Sequence, residues 1–187
     1  TVETPAGIME PEITVGADNK AKLITINMGR PSFNRSEIPM EGADGRVLNE
    51  DLCVDGENWK VTSLLMGVPH TVTYVDDVDT VDIEKIGPLF EKHEAFPKHT
   101  NINFAQQMDD RTVKVRTWER GAGATLACGT GSCSVAVASF LNGRTGREVD
   151  IQLPLGTLHI EYREEDGNVY MTGPAAVSFT GTWPDET

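Results

Sequence analysis

Basic residues are scarce in this sequence. Sixteen lysines and arginines stand against 29 aspartates and glutamates among 187 residues, so the formal net charge is -13 at pH 7. A chain with this charge repels polyanions unless it carries a local basic patch, and the sequence contains no such patch. These counts argue against nucleic acid as a partner.

Long apolar runs are also missing. A membrane-spanning helix needs roughly 20 consecutive apolar residues, and the start lacks the charged-then-apolar pattern of a signal peptide. We therefore expect no membrane insertion and a cytoplasmic location. The chain opens at Thr1 without an initiator methionine, in what reads as the middle of a strand-rich pattern. We expect it to be a piece of a longer protein.

Cysteine is rare. Cys53, Cys128 and Cys133 are an odd number, form no Cys-x-x-Cys pair and have no cluster of histidines near them. Disulfide frameworks use even numbers of cysteines, and structural zinc sites use closely spaced pairs of ligands. The sequence therefore predicts free thiols, with neither a disulfide framework nor a metal site.

Short segments with alternating apolar residues dominate the chain. Such alternation turns one face of a strand toward a core and the other toward water. Turn formers separate the segments, and internal repeats are absent. The predicted strands are Lys22–Ile26, Val61–Met66, Thr71–Val75, Thr112–Arg116, Val149–Leu153, Thr157–Tyr162, Asn168–Thr172 and Ala176–Trp183.

Two segments instead predict helices. In Val81–His93, apolar residues recur at helical spacing after Asp82, a suitable N-cap, and Gly87-Pro88 predicts a break. In Gly129–Asn142, apolar side chains leave no polar face, and Gly143 ends the helix. A helix that is apolar all round is buried. The pattern therefore predicts an α+β fold in which a curled, barrel-like and mostly antiparallel β-sheet surrounds a central helix.

The stretch Glu119–Cys133 carries the strongest chemical signal. It leaves a strand, passes through a glycine-rich loop and places Cys128 at the N-terminus of the second helix. Unpaired N–H groups and the positive end of the helix dipole lower the pKa of a thiol there and bind an anion. We therefore expect a thiolate beside a carboxylate-binding site. In the alternative reading, Cys128 is a small buried residue and the glycines only form a turn.

Four motifs follow one another along the chain: MGVPHTVTYVDDVD at Met66–Asp79, FPKHTNINF at Phe96–Phe104, the stretch Glu119–Cys133 and VYMTGPA at Val169–Ala175. In this order and approximate spacing they resemble the diaminopimelate epimerase family. The resemblance implies two pseudo-symmetric domains, each a barrel-like sheet around a central helix, with the active site between them. Residues 1–29 would then be the end of the N-terminal domain and a crossover strand, 30–172 the C-terminal catalytic domain, and 173–187 a terminal strand returning toward the N-terminal domain.

The resemblance also implies a reaction on a small amino-acid substrate without any cofactor. A cysteine thiolate of one domain removes the α-proton of 2,6-diaminopimelate, and the cysteine thiol of the other returns a proton to the opposite face. This interconverts the LL and meso forms for lysine and peptidoglycan precursor synthesis. Cys128 matches the C-terminal cysteine, while its partner belongs to the missing N-terminal domain. Cys133 lies about 140° further round the helix and is expected in the core. A homodimer is one option for the assembly.

Carried over residue by residue, the resemblance implies three catalytic residues. They are Cys128, His70 and Glu119, and His70 would tune a thiol by proton exchange or by electrostatics. Read without the family, His70 is a strand-end histidine.

The resemblance also implies a set of substrate-binding residues. Glu119 and Arg120 would hold the distal amino-acid end of the substrate, and Asn101 would help to hold its distal carboxylate. The N–H groups of Gly129 and Thr130 would bind the carboxylate at the reacting carbon. Read without the family, Glu119-Arg120 is an exposed charge pair and Asn101 a turn residue.

Two positions depart from the family pattern. Ala124 replaces a common glutamate, and Val68 replaces the usual asparagine that binds the distal carboxylate, which a valine cannot do. Two other readings therefore stay open. One is a related isomerase of this fold, such as a proline-type racemase, although Glu119-Arg120 would then be left unpaired. The other is a non-catalytic binding or folding unit when the chain is isolated.

Overall fold

A computed structural model describes residues 1–4 and 7–182 of the chain. Within these residues, strands outnumber helices, and a short 3₁₀ turn at Val78–Thr80 precedes the first helix. The strands are β1 Val2–Thr4, β2 Gly7–Met9, β3 Glu12–Val15, β4 Ala21–Asn27, β5 Val47–Val54, β6 Glu57–Met66, β7 Val68–Tyr74, β8 Asn101–Gln107, β9 Thr112–Glu119, β10 Gly123–Thr125, β11 Glu148–Leu153, β12 Gly156–Tyr162 and β13 Val169–Pro174, and the helices are α1 Ile83–Glu91 and α2 Gly129–Leu141.

One large sheet organises the chain. Its strands follow the order β3-β4-β13-β12-β11-β9-β8-β7-β6-β5, with β10 added to β9, and β1 and β2 form a separate hairpin. Neighbouring strands are antiparallel except for the pairs β7–β8 and β9–β11. A parallel pair needs a crossover connection, and each crossover here contains one of the two helices. The predicted mostly antiparallel sheet is confirmed.

The sheet buries a different helix on each of its two faces. Phe104 of β8 packs in a cluster with Ile83 and Phe90 of α1, whereas the next residue, Ala105, packs in a cluster with Val135 and Val137 of α2. Successive side chains of a strand point to opposite faces, so the two clusters lie on opposite sides of the sheet. Helix α2 contacts strands from β6 through β13 and is buried from residue 131 to residue 139. The predicted buried central helix is confirmed.

The predicted strands are confirmed, with one exception, at the end of the chain. The segment 176–182 has no strand, and Trp183 lies outside the described residues. A strand needs the edge of a neighbouring strand to satisfy its N–H and C=O groups, and no described strand pairs with this segment. Val177 and Phe179 are consequently 83% and 82% exposed.

The first helix is continuous, so the predicted break at Gly87-Pro88 is wrong. Asp82 is its N-cap, as predicted, and accepts a hydrogen bond from the N–H of Lys85. Pro88 removes the bond that an N–H would make to the carbonyl of Glu84, but Glu84 is exposed and water can replace the lost donor. In the part of the chain that is described, neither helix is long and apolar enough to cross a membrane.

We predict that Gly87→Ala destabilises the protein despite the better helix propensity of alanine. A Cβ at Gly87 would lie 2.6 Å from two ring carbons of Trp118, and Trp118 is held in place by its bond to Glu91. The propensity gain of up to about 1 kcal/mol is smaller than the ~1–3 kcal/mol cost of overpacking. Urea denaturation should therefore show a lower free energy of unfolding. Gly146→Ala is the matched control, because a Cβ at Gly146 meets open space; an equal effect of both substitutions would contradict the prediction.

Candidate active site

Three neighbouring strands bring candidate side chains to one edge of the sheet. β7 and β8 are parallel and begin at this edge, where His70 is paired with Asn101. β9 is antiparallel to β8, so it ends at the same edge with Glu119. Each of them lies an even number of residues along its strand from a buried residue of the cluster around α2: Val72, Ala105 and Val115, respectively. Side chains at such a spacing point to the same face of the sheet. The three side chains therefore share the face that carries α2.

The N-terminus of α2 meets these side chains. β10 folds back along β9 as a short hairpin, and the chain then reaches Cys128, which is the N-cap of α2 as predicted. The Cys128 sulfur accepts a bond from the N–H of Gly131 at 3.4 Å, and its thiol donates to Glu119 Oε2 at 3.2 Å. A Cβ at Gly131 would lie 2.6 Å from Asn103 Oδ1. The helix terminus can approach the sheet this closely because residue 131 is glycine.

The protonation state of Cys128 differs from the prediction. The pKa of the Cys128 thiol is raised to about 11, chiefly by burial and also by Glu119, while the Thr130 hydroxyl and the Gly131 N–H act in the opposite direction. The prediction that the helix terminus produces a thiolate is wrong for this chain, because desolvation of the charged sulfur outweighs the first-turn donors. Cys128 is a protonated thiol at neutral pH.

His70 acts as a neutral group. It is fully buried, and burial lowers its pKa to about 3, with the positive charge of Arg120 acting in the same direction. Its Nε2 atom lies 3.0 Å from the Thr130 hydroxyl, which in turn lies 3.6 Å from the Cys128 sulfur. His70 is thus connected to Cys128 through the Thr130 hydroxyl. Because its imidazole is neutral near pH 7, its effect on the Cys128 thiol comes from hydrogen bonding and not from a positive charge.

The candidate substrate-binding residues also lie together. Asn101 Oδ1 accepts a hydrogen bond from the backbone N–H of Arg120 at 2.8 Å, and this bond connects β8 to the end of β9. The Arg120 side chain donates to the Lys98 carbonyl, and no carboxylate of the described residues forms an ion pair with it. Its guanidinium therefore has donors left for an anionic ligand.

An opening to the surface lies next to the helix terminus. The N–H groups of Gly129 and Thr130 occupy the first turn of α2 and have no acceptor within the helix. A cleft of about 660 Å³ opens beside Thr130, between the β1–β2 hairpin and residues that include Met66 and Tyr170. A small anion entering this cleft would meet a helix N-terminus, where donors and the dipole favour negative charge.

Three buried polar residues of this region are not among the residues predicted from the sequence. Asn103 and Thr117 pair across β8 and β9 and share a hydrogen bond. Glu91, at the end of α1, accepts bonds from the Trp118 indole and the Gly121 N–H, and it holds the hairpin that carries Glu119. The period of two in a strand would have placed Asn103 on the same face as Asn101. Sequence spacing contains no comparable signal for Glu91.

The remaining cysteines are separate from the site. Cys133 is fully buried in the core around α2, as predicted, and Cys53 is exposed. All three cysteines are free thiols. Among the described residues, no group of three or more His, Cys, Asp or Glu side chains is arranged to hold a metal ion.

Comparisons with known sequences identify one family. The sequence model of the family described as "Diaminopimelate epimerase" matches residues 62–178. The diaminopimelate epimerase of Pelotomaculum thermopropionicum is 48% identical over 186 residues, which are 100% of this chain and 66% of that protein. The diaminopimelate epimerase of Heliobacterium modesticaldum is 48% identical over 98% of this chain and 65% of its own length. The chain thus spans slightly less than two thirds of these curated relatives.

Solved structures share the fold at much lower sequence identity. A hydroxyproline epimerase from Agrobacterium vitis, crystallised with trans-4-hydroxy-L-proline, superposes with a TM-score of 0.64 at 15% identity. The similarity covers 92% of this chain and 55% of that one. At this identity the comparison supports the architecture alone.

We predict that Glu119→Gln speeds alkylation of Cys128. Removing the carboxylate charge lowers the pKa of the thiol, and the thiolate fraction rises about tenfold for each unit of pKa. The measurement is the iodoacetamide rate of each cysteine-containing peptide by mass spectrometry at pH 8. In the unmodified chain, exposed Cys53 should react first and fully buried Cys133 last, with Cys128 between them. The control is Glu161→Gln, which removes the same charge from a half-buried carboxylate paired with Arg163. Equal Cys128 rates in the Glu119→Gln variant and the unmodified chain would contradict the assigned contact.

Proposed function

The chain belongs to the diaminopimelate epimerase family, and on that premise we propose that it is the C-terminal catalytic part of a diaminopimelate epimerase. The full protein would interconvert LL- and meso-2,6-diaminopimelate by proton transfer between two cysteines, without a cofactor. The observation that carries the proposal is the buried Cys128 thiol at the N-terminus of α2, bonded to Glu119 and reached by His70 through Thr130.

The second cysteine of this proposal belongs to an N-terminal domain outside this chain. Cys53 and Cys133 are poor substitutes, because Cys53 is exposed on strand β5, away from the site, and Cys133 is buried in the core. Large apolar side chains are exposed near both ends of the chain, among them Ile8 at 71% and Phe179 at 82%. We propose that the missing domain covers part of this surface, since exposed apolar area of this kind favours burial against a partner.

The proposed reaction uses one cysteine on each face of the substrate α-carbon. The thiolate of the other domain removes the α-proton, and the Cys128 thiol donates its proton to the opposite face. The raised pKa of Cys128 supports the acid role, because the proton is present at neutral pH. In the reverse direction the Cys128 thiolate is the base, and Glu119, which accepts the thiol hydrogen bond, is placed to receive or return that proton.

We propose that the substrate carboxylate at the reacting carbon binds the first-turn N–H groups of Gly129 and Thr130. Removal of the α-proton shifts negative charge onto this carboxylate, and fixed donors in a desolvated site stabilise that charge. The distal amino-acid end would lie toward Arg120, whose guanidinium has free donors, with Asn101 beside it. Glu119 would contribute its remaining oxygen to the ammonium group.

The two rival readings are weaker for specific reasons. A proline-type racemase substrate has no distal charged end, so Arg120 would stay without an anionic partner. The fold similarity to a hydroxyproline epimerase leaves this choice open. The reading as a non-catalytic unit fits the isolated chain, which contains one of the two proposed acid–base groups. It does not fit the full protein. We include a cytoplasmic location in the proposal, supported by the free thiols; the homodimer stays a prediction.

We predict that Cys128→Ser abolishes turnover of diaminopimelate by the full-length protein. A serine hydroxyl stays protonated at neutral pH and is a far weaker acid than a thiol, so it can act neither as base nor as efficient proton donor. The assay follows conversion of the LL form of the substrate into the meso form. The chain studied alone should show no interconversion above background, because it supplies one face of the proton transfer.

The control for this experiment is Cys133→Ser, since Cys133 lies in the core away from the site. This variant should lose stability while its folded fraction keeps turning over. Normal epimerisation by Cys128→Ser, or epimerisation by the isolated chain, would overturn the two-cysteine assignment.

We predict that Val68→Asn lowers KM for diaminopimelate in the full-length protein. Val68 is half-buried at the start of β7, two residues before His70. An asparagine there would add a hydrogen bond to the distal carboxylate, and a bond to a charged group contributes about 1.5–3 kcal/mol, or roughly one to two powers of ten in affinity. The value of kcat should change little, because the contact is remote from the reacting carbon.

Val68→Ala is the matched control, since it changes the side chain without adding a donor and should leave KM unimproved. A rise of KM in Val68→Asn, together with better turnover of a smaller or more apolar amino acid by the unmodified protein, would favour the related-isomerase reading.

A further inference from the structure

A directional chain of hydrogen bonds runs from the sheet to the Cys128 sulfur. The Cys128 thiol donates to Glu119 Oε2, so its single hydrogen is already committed. The Thr130 hydroxyl lies 3.6 Å from the same sulfur and must therefore supply the hydrogen of that contact. A hydroxyl that donates its one hydrogen to sulfur can only accept from its other partner, and that partner is His70 Nε2 at 3.0 Å.

Asn103 fixes the opposite side of the His70 ring. The Asn103 amide has one possible orientation: its Nδ2 faces the Thr71 carbonyl, which only accepts, at 3.1 Å, and its Oδ1 receives the Thr117 hydroxyl at 3.0 Å. The second hydrogen on Nδ2 is directed at His70 Nδ1, 3.3 Å away. A donor at this position requires an unprotonated Nδ1, so the hydrogen of the neutral imidazole belongs on Nε2.

We propose that Asn103 is a positioning residue for the proton transfer: it holds His70 in the tautomer with hydrogen on Nε2, and His70 thereby directs the Thr130 hydroxyl hydrogen toward the Cys128 sulfur. Asn103 and His70 are both fully enclosed, so water cannot replace either partner. A hydroxyl hydrogen aimed at the sulfur stabilises the thiolate that Cys128 becomes after it releases its proton.

One contact opposes this arrangement. Asn101 Oδ1 accepts from the Arg120 N–H, which turns Asn101 Nδ2 toward His70 Nε2 at 3.4 Å. This is the longest contact of the ring, and it would favour hydrogen on Nδ1. That tautomer would leave a buried Nδ1–H facing the Asn103 Nδ2 donor and would turn the Thr130 hydroxyl away from the sulfur. Two partners other than His70, the Thr71 carbonyl and the Thr117 hydroxyl, fix the Asn103 amide, and its contact with the ring is the shorter of the two, so we infer that Asn103 determines the tautomer.

The first experiment measures the tautomer directly. The inference rests on the proposed function only in treating Cys128 as the reacting thiol, and the measurement needs neither substrate nor turnover. The chain is labelled with ¹⁵N-histidine, and two-bond ¹H–¹⁵N correlation spectra at pH 7.5 distinguish a protonated from an unprotonated ring nitrogen. His70→Gln identifies the signals of His70 among the four histidines. We expect a protonated Nε2 and an unprotonated Nδ1, and a protonated Nδ1 would overturn the proposal.

The second experiment removes the Asn103 amide. In Asn103→Leu, His70 loses its Nδ1 donor, so Asn101 and Thr130 can donate to Nε2 and the Nδ1–H tautomer should grow. The iodoacetamide rate of Cys128 at pH 8 should then fall by about threefold to tenfold, the change for a pKa rise of about half to one unit. The Glu119 and Arg120 charges that face Cys128 and His70 are unchanged in this variant.

Asn142→Leu is the matched control, because Asn142 also donates to a threonine hydroxyl and a carbonyl but lies at the other end of α2. It should lose stability comparably while both the His70 tautomer and the Cys128 rate stay unchanged. Thr117→Ser keeps the hydroxyl that orients Asn103 and should also leave both readouts unchanged. An unaltered Cys128 rate in folded Asn103→Leu, or an equal fall in Asn142→Leu, would show that Asn103 has only a structural role.

Discussion

The burial of α2 on every side is the constraint on which the site depends. A helix without a polar face must be surrounded, and here strands from β6 to β13 surround it. The enclosing sheet then fixes where the helix begins. Its N-terminus meets the edge at which β7 and β8 begin and β9 ends, so His70, Asn101 and Glu119 face Cys128 through strand geometry. The same enclosure removes water, which raises the pKa of Cys128 and lowers that of His70.

Enclosure changes the chemistry that a helix N-terminus would otherwise favour. First-turn donors stabilise a thiolate. Here two effects outweigh that stabilisation: the cost of desolvating the charged sulfur, and the repulsion from the nearby Glu119 carboxylate. The result is a thiol that keeps its proton and has an acceptor for it in Glu119, together with a hydroxyl and an N–H directed at the sulfur. A group of this kind suits proton transfer in both directions. In the proposed reaction it would release a proton to a strongly basic carbon, and the thiolate left behind would be stabilised locally.

The site meets the surface at the cleft beside Thr130. Residues of β2 and its neighbours also line this cleft. The chain spans 66% and 65% of two curated relatives, and apolar side chains are exposed near both of its ends. Our proposal that the second acid–base group comes from another domain connects these three observations. The absent strand at 176–182 agrees with it, because that segment has no described strand edge to pair with.

The local elements and the candidate residues for chemistry are predictable from the sequence. Alternation located most strands, the apolar run at Gly129–Asn142 predicted the buried helix, and the glycine-rich approach to Cys128 predicted a thiol at its start, because these signals depend on residues close together in the chain. The surroundings of each buried group and the pairing of residues far apart in the chain could not be predicted from the sequence. The protonation state of Cys128, the continuity of α1 through Pro88, and the link from Asn103 through His70 to Thr130 depend on groups up to 60 residues apart along the chain. These features follow from the folded chain, since desolvation and hydrogen-bond direction depend on what surrounds a side chain in space and not on its neighbours in sequence.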